Sequence, residues 1–378
     1  MKRFLFASDS FKGTISSARA AELLTRAARE AFPYAQTTEL VVADGGEGTV
    51  EAIVAATGGT IRTATVQGPR GEAVEASYGM LGNGDAIIEM AAASGLPLLS
   101  DNERDPRITS TYGTGQLIAQ ALDDGARTIT LAIGGSATND GGMGCMRALG
   151  ARFLDKCGNE LEGVGGDLGQ VARIDLAHMD ERVARTSFVV MCDVDNPLLG
   201  PSGATHVFGP QKGASPTVVN ELEKGMASYA HVLSQYFDGF DPTAPGMGAA
   251  GGLGAAARAF LNAKLQPGIE RVLDLVGFDD LLQYCDLCVT GEGHADEQSA
   301  HGKVISGIAQ RCVRAGVPCV AIVGGMDAEA CELLNVGVSA LVPAVIDACT
   351  VEEALAHAER NYMLAAQRVF SLLKIPAA

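Results

Sequence analysis

The sequence predicts an α/β protein of two domains: a Rossmann- or flavodoxin-like parallel-sheet domain interrupted by an inserted second α/β domain with a mixed sheet. Three observations predict it. Short apolar runs alternate with amphipathic helical stretches at both ends of the chain, the rhythm of βα units. That rhythm breaks near residue 72 and resumes near 283. In addition, clusters of carboxylates, lysines and glycines recur just after the predicted strands, where open α/β sheets bind ligands.

Residues 4–7 (FLFA) read as the first strand, followed by SDSFKGT and a helix over about 16–32 with Leu23, Leu24, Ala27, Ala28 and Ala31 on one face. Residues 39–42 form the second strand and run into ADGGEGT and a helix to about 56. QGPRG at 67–71 is a turn, and residues 73–80 and 86–90 read as an antiparallel pair across GNGD. A helix over 116–123 precedes a buried strand at 128–133, and then a turn, 133–144, that packs five glycines and several small polar residues before a helix beginning at Met143. Such a turn offers backbone N–H groups and a helix dipole to an anion. Residues 187–191 are a strand ending in CDVDNP. A helix over about 218–237 and a glycine-rich piece opening a helix to Leu261 follow. The βα rhythm resumes with strands at 287–290, 319–323 and 340–345. Thr350 and Glu353 make a capping box for the last helix, whose Leu355, Tyr362, Ala366, Val369 and Leu373 share a side. Residues 1–72 and 283–378 are therefore expected to form the discontinuous domain and 73–282 the insert, with the active site in the cleft between them.

Composition narrows the partners. A net charge of −17 argues against nucleic acid or an anionic membrane surface, so the expected partners are small molecules. Nine cysteines at irregular spacing do not make a disulfide framework, and the CxxC at 285–288 reads as packing. The N-terminal apolar run is too short for a signal peptide, and no segment reaches the roughly 18 apolar residues of a membrane span, so a cytoplasmic location is expected.

The post-strand clusters are Asp9 with Lys12, Asp44 with Glu47, Asn139 with Asp140, Asp193 with Asn196, Glu292 with Asp296, and Asp327. Oxygen donors for Mg²⁺, amides and lysines for phosphate charge, and a base for an attacking hydroxyl are the parts that phosphoryl transfer from a nucleotide needs. No P-loop sequence is present, no G-x-G-x-x-G follows the first strand, and HExxH is absent, so His294 and His301 are expected in loops at the surface.

GGSATNDGGMGCMRALGA (134–151), CDVDNPLLGPSGATHVFGPQKGA (192–214), SDSFKGT (8–14), ADGGEGT (43–49) and GEGHADEQSAHGK (291–303) together resemble the class I bacterial glycerate kinases, from the first strand to the last helix. The resemblance implies ATP-dependent phosphorylation of D-glycerate, a two-domain α/β architecture and Mg²⁺. One departure is that His294 stands where the family pattern carries Arg. Residue chemistry then nominates Asp193 as base, with Lys12 and Lys303 as the other catalytic residues. Asp44, Glu47 and Asp296 are nominated for Mg²⁺. Ser10, Gly134, Gly135, Ser136, Thr138, Asn139, Asp140, Lys212, Gln298 and Ser299 are nominated for substrate or phosphate, and the turn at 134–144 holds either nucleotide phosphates or the substrate carboxylate. The expected product is 2-phosphoglycerate, with 3-phosphoglycerate as the alternative. A homo-oligomer is compatible with the sequence, and a sugar-acid sensor and a nucleotide-dependent oxidoreductase are the rival classes.

Overall fold

The computed structural model describes residues 1–11, 13–42, 48–300 and 302–375. The chain divides into two compact units, Met1–Ala56 with Gly268–Ala378, and Thr57–Pro267. In chain order the strands are β1 (Arg3–Phe6), β2 (Gln36–Glu39), β3 (Thr60–Gln67), β4 (Ala73–Met80), β5 (Ala86–Glu89), β6 (Thr128–Ala132), β7 (Arg152–Leu154), β8 (Arg173–Asp175), β9 (Ser187–Met191), β10 (Lys264–Gln266), β11 (Leu287–Ala295), β12 (Cys319–Met326) and β13 (Ala340–Pro343).

The discontinuous unit is built on a five-stranded parallel sheet in the order β13-β12-β11-β1-β2. Its three central strands, β12, β11 and β1, carry apolar runs buried on both faces because helices cover both. Phe4, Phe6, Val289 and Ile322 pack on one side with the helices Ser17–Ala31 and Ala358–Leu372. Leu5, Ala7, Cys288, Ala321 and Val323 pack on the other with Val304–Ala315. Ser16 Oγ accepts from Arg19 N to start the first helix, and the capping box of Thr350 and Glu353 is present at Val351–Ala356. Successive strands step away from β1 in one direction to β2 and, after the insertion, in the other direction from β11 to β13. The strand order therefore reverses between β1 and β11, which makes that crevice the binding position of an open α/β sheet.

The inserted unit carries a six-stranded mixed sheet, β10-β9-β6-β5-β4-β3, in which β10, β9, β6 and β5 are parallel and β4 and β3 antiparallel. β7 and β8 form a separate antiparallel pair. The expected boundaries at 72 and 283 are corrected to 56/57 and 267/268. At the first, β3 pairs along its whole length with β4, Thr60 opposite Met80 to Gln67 opposite Ala73, and so belongs to the mixed sheet. At the second, the helices Gly268–Leu275 and Phe278–Leu282 put Ile269, Leu273, Phe278 and Leu282 into the core beneath β11. Arg311, its side chain 8% exposed, fastens them there: its Nη2 donates to Glu270 Oε2 (2.6 Å) and Asp274 Oδ1 (2.6 Å), and its Nη1 to Asp279 Oδ2 (2.8 Å).

Candidate active site

Two sets of the nominated residues are assembled by the fold, one in each unit. In the discontinuous unit a cavity of about 790 Å³ opens at the carboxyl ends of β1, β11, β12 and β13. Asp9 and Ser10 enter it from the loop after β1, which is held to β11 by Asp9 N donating to Gly291 O (2.8 Å). β11 runs five residues further than its apolar run suggests, to Ala295, because it stays paired with β12 as far as Ala295 opposite Met326. Gly291 permits this: a Cβ there would stand 1.9 Å from Ile322 O. The extension makes Glu292 a strand residue rather than a loop residue. Its side chain lines the cavity although the residue is only 9% exposed, and Oε1 has no hydrogen-bond partner. Burial pushes its carboxyl up, against the opposing hydrogen bond of Ser299 and charge of Lys303.

Asp296 and Lys303 complete the polar wall. Asp296 Oδ1 accepts from Ser299 N (3.0 Å) and Ser299 Oγ (3.2 Å), closing the turn that carries Gln298 and Ser299. Lys303, at the N-cap of Val304–Ala315, holds Nζ 3.9 Å from Asp296 Oδ1. Gln298 is exposed and Ser299 buried, and neither is among the residues lining the cavity. His294, expected in a loop, is instead on β11, with Nε2 3.3 Å from Asp327 Oδ1 and both side chains more than half exposed. The cavity wall also has an apolar part that includes Met326, Val351, Leu355 and Tyr362. Leu355, expected on the buried side of the last helical stretch, is 52% exposed at this wall, since it belongs to Val351–Ala356, a helix separate from Ala358–Leu372. Lys12, Asp44, Glu47 and His301 lie outside the described residues.

In the inserted unit the turn after β6 is organised by Asp140, which is fully buried. Its Oδ2 accepts from Thr111 N (2.8 Å), Thr111 Oγ1 (2.8 Å) and Gly144 N (3.2 Å), and its Oδ1 accepts from Gly142 N (3.0 Å). The N–H groups of Gly142 and Gly144 at this helix start are thus taken by the chain's own carboxylate. Burial pushes the Asp140 carboxyl up while these N–H and O–H donors pull it down. Lys212, expected at a ligand, is 1% exposed and donates from Nζ to Thr138 O at 2.7 Å. Burial pushes its ammonium down to about 7, against the pull of the Asp140 charge. Asn139 Nδ2 donates to Thr205 Oγ1 (3.2 Å), while Thr138 Oγ1, Asn139 Oδ1 and Tyr229 OH are buried without partners. Gly134 and Gly135 are the exposed part of the turn, with Ser136 just beneath.

The two glycine-rich stretches of the sequence meet here. Gly141 N donates to Gly251 O (3.0 Å), and the chain enters the helix Ala249–Leu261 through Ala250, Gly251 and Gly252, all at positive φ. A Cβ on Gly251 would stand 2.1 Å from Thr138 O. Asp193, exposed, follows β9, which lies beside β6 in parallel, so the loops carrying Asp193 and the turn leave the same sheet edge. Thr111 and Tyr229 were not nominated from sequence. Thr111 sits in TSTYGTG ahead of Tyr112–Asp123, where a threonine reads as a cap, although it spends its hydroxyl on Asp140. All nine cysteines are free. No helix among the described residues is long and apolar enough to cross a membrane.

The profile of the glycerate kinase family matches residues 4–374. Over 374 residues the chain is 43% identical to a glycerate kinase of Bacillus subtilis and 43% identical to a glycerate 2-kinase of Escherichia coli, in each case covering 99% of this chain and 98% of the relative. A solved structure from Salmonella typhimurium LT2, described as a candidate glycerate kinase 2, superposes with a TM-score of 0.88 at 42% identity over 99% of this chain and 98% of that one.

Proposed function

This chain belongs to the glycerate kinase family and is a kinase, and from that premise we propose that it transfers the γ-phosphoryl group of ATP to the 2-hydroxyl of D-glycerate with Mg²⁺. The observation that carries the reading is the cavity at the strand-order reversal, whose lining combines the carboxylates of Asp9, Glu292 and Asp296 and the ammonium of Lys303 with apolar side chains. The name of the Escherichia coli relative supports the 2-position.

The donors fit a hard divalent cation: they are oxygens, and the buried Glu292 Oε1 lacks a partner. Glu292 and Asp296 would hold Mg²⁺ with Asp44 and Glu47, and Mg²⁺ when bound neutralises charge on the phosphoryl oxygens. Lys303 and Lys12 balance the remaining phosphate charge, and Ser10 contributes a hydroxyl donor. Gln298 and Ser299 act by shaping the turn that sets Asp296. Met326, Val351, Leu355 and Tyr362 present a surface for a nucleobase and exclude water. In the inserted unit, Gly134, Gly135 and Ser136 receive an anionic group, while Thr138, Asn139, Asp140 and Lys212 hold the turn in shape. As the 2-oxygen bonds to phosphorus and the bond to the ADP oxygen breaks, the hydroxyl proton passes to the Asp193 carboxylate. Free cysteines throughout suit the reducing cytoplasm.

The test is incubation with ATP, Mg²⁺ and D-glycerate, with ³¹P NMR of the product. We expect 2-phosphoglycerate, lost in EDTA and restored by Mg²⁺. Formation of 3-phosphoglycerate refutes the position, and full activity in EDTA refutes the metal.

A further inference from the structure

Three cysteines take no part in the chemistry above. Cys288 on β11 and Cys319 on β12 are partners across the parallel register, and both point into the layer beneath Val304–Ala315, from which Cys312 descends. All three residues are 0% exposed, and their sulfurs lie within 4.8 Å of one another. A three-coordinate centre with metal–sulfur bonds of about 2.3 Å has sulfurs about 4 Å apart, so the cluster is formed to within small side-chain shifts. We propose that Cys288, Cys312 and Cys319 make a three-sulfur site for a thiophilic monovalent cation, copper(I) being the biological example.

Ligand type and count select the ion. Thiolate sulfur favours soft ions such as copper(I) over magnesium or calcium. Structural zinc sites are four-coordinate, whereas among the described residues no fourth His, Cys, Asp or Glu ligand atom lies within 4.8 Å of all three sulfurs. A bound ion would tie β11 to β12 four residues before Glu292.

The test measures the melting temperature of the reduced chain with and without chelator-buffered copper(I). The native chain should gain at least ~3 °C. Cys312→Ala should lose the gain, and replacing the exposed Cys157, Cys331 and Cys349 by Ser should keep it. No gain in the native chain, or the reverse pattern among variants, overturns the proposal. Should Cys312→Ala fail to fold, X-ray absorption of the copper-loaded native chain decides: three sulfur neighbours at about 2.3 Å are expected, and nitrogen or oxygen neighbours, or two sulfurs only, refute it.

Discussion

Replacing Lys212 by Met should make the protein more stable near pH 7 than at pH 9, relative to the native chain, because the buried ammonium is a liability that alkali removes. In the unfolded chain the lysine keeps its proton until about 10.5, whereas in the folded protein it gives the proton up near 7. Between those values unfolding takes up a proton, so raising the pH stabilises the fold. The charged lysine therefore costs the folded state about 5 kcal/mol below pH 7, relieved progressively as the pH rises through 7 towards 10.5. Over the window from pH 7 to 9 the native chain should gain about 2 kcal/mol that Lys212→Met does not. The lost bond to Thr138 O, 2.7 Å in the native chain, weakens the variant at both pH values and cancels in the comparison. Urea unfolding at the two pH values, followed by a probe in the inserted unit, measures the difference. An equal change in both chains would show that Lys212 is solvated or titrates normally, and the account of its burial would fail.

Asp193→Asn should lower kcat by roughly 10²-fold with KM for ATP little changed, as a positioned base contributes about that much. If kcat survives at saturating Mg²⁺ while the Mg²⁺ requirement rises, Asp193 is a ligand. Glu292→Gln keeps the shape and removes the charge; kcat/KM should fall at least ~10-fold. Because burial raises the Glu292 carboxyl, the native enzyme should lose activity on acidification earlier than an ordinary carboxylate would dictate, and the variant should lack that limb; identical pH profiles would exclude Glu292 from the site. Gly251→Ala should cost about 2–4 kcal/mol by thermal or urea unfolding, from positive φ and the clash with Thr138 O. A neutral result would mean that the two glycine stretches do not meet as described.

Much of the parallel sheet was legible because its central strands, β1, β11 and β12, are buried on both faces and read as apolar runs: FLFA, LCVT, CVAIV. β3 was not, since TIRTATVQ lies at an edge with most of its residues exposed and carries no core-facing run. That omission moved the first domain boundary. The last five residues of β11 were missed for another reason: GEGHA contains residues depleted in strands, and it stays extended only through its pairing with β12. Local preference is overridden there, beside the cavity, as often happens at functional sites. The spacing of Asp140 within its turn showed that a carboxylate was near a helix start. It did not show which way the side chain points, and the inward direction turns an expected ligand contact into a clamp on Thr111, Gly142 and Gly144. Lys212 is misread similarly: a lysine in a glycine-rich loop suggests an exposed cation, and only the fold reveals a tether to Thr138.

The pairing of β1 with β11 also sets a timetable. Arg3 N donates to Asp286 Oδ2 across 283 positions of sequence, so one neighbour of the first strand is among the last segments to be made. At 5–20 residues per second a ribosome needs roughly 15–55 s to supply it. During that interval the whole of Thr57–Pro267 can emerge and fold as a unit of its own, bringing the two halves of its host closer than an unfolded connection would. Until β11 arrives, β1 has β2 beside it and an open edge on the other side, with Phe4 and Phe6 still lacking part of their final packing. The nascent chain is then most exposed to pairing with another copy of itself.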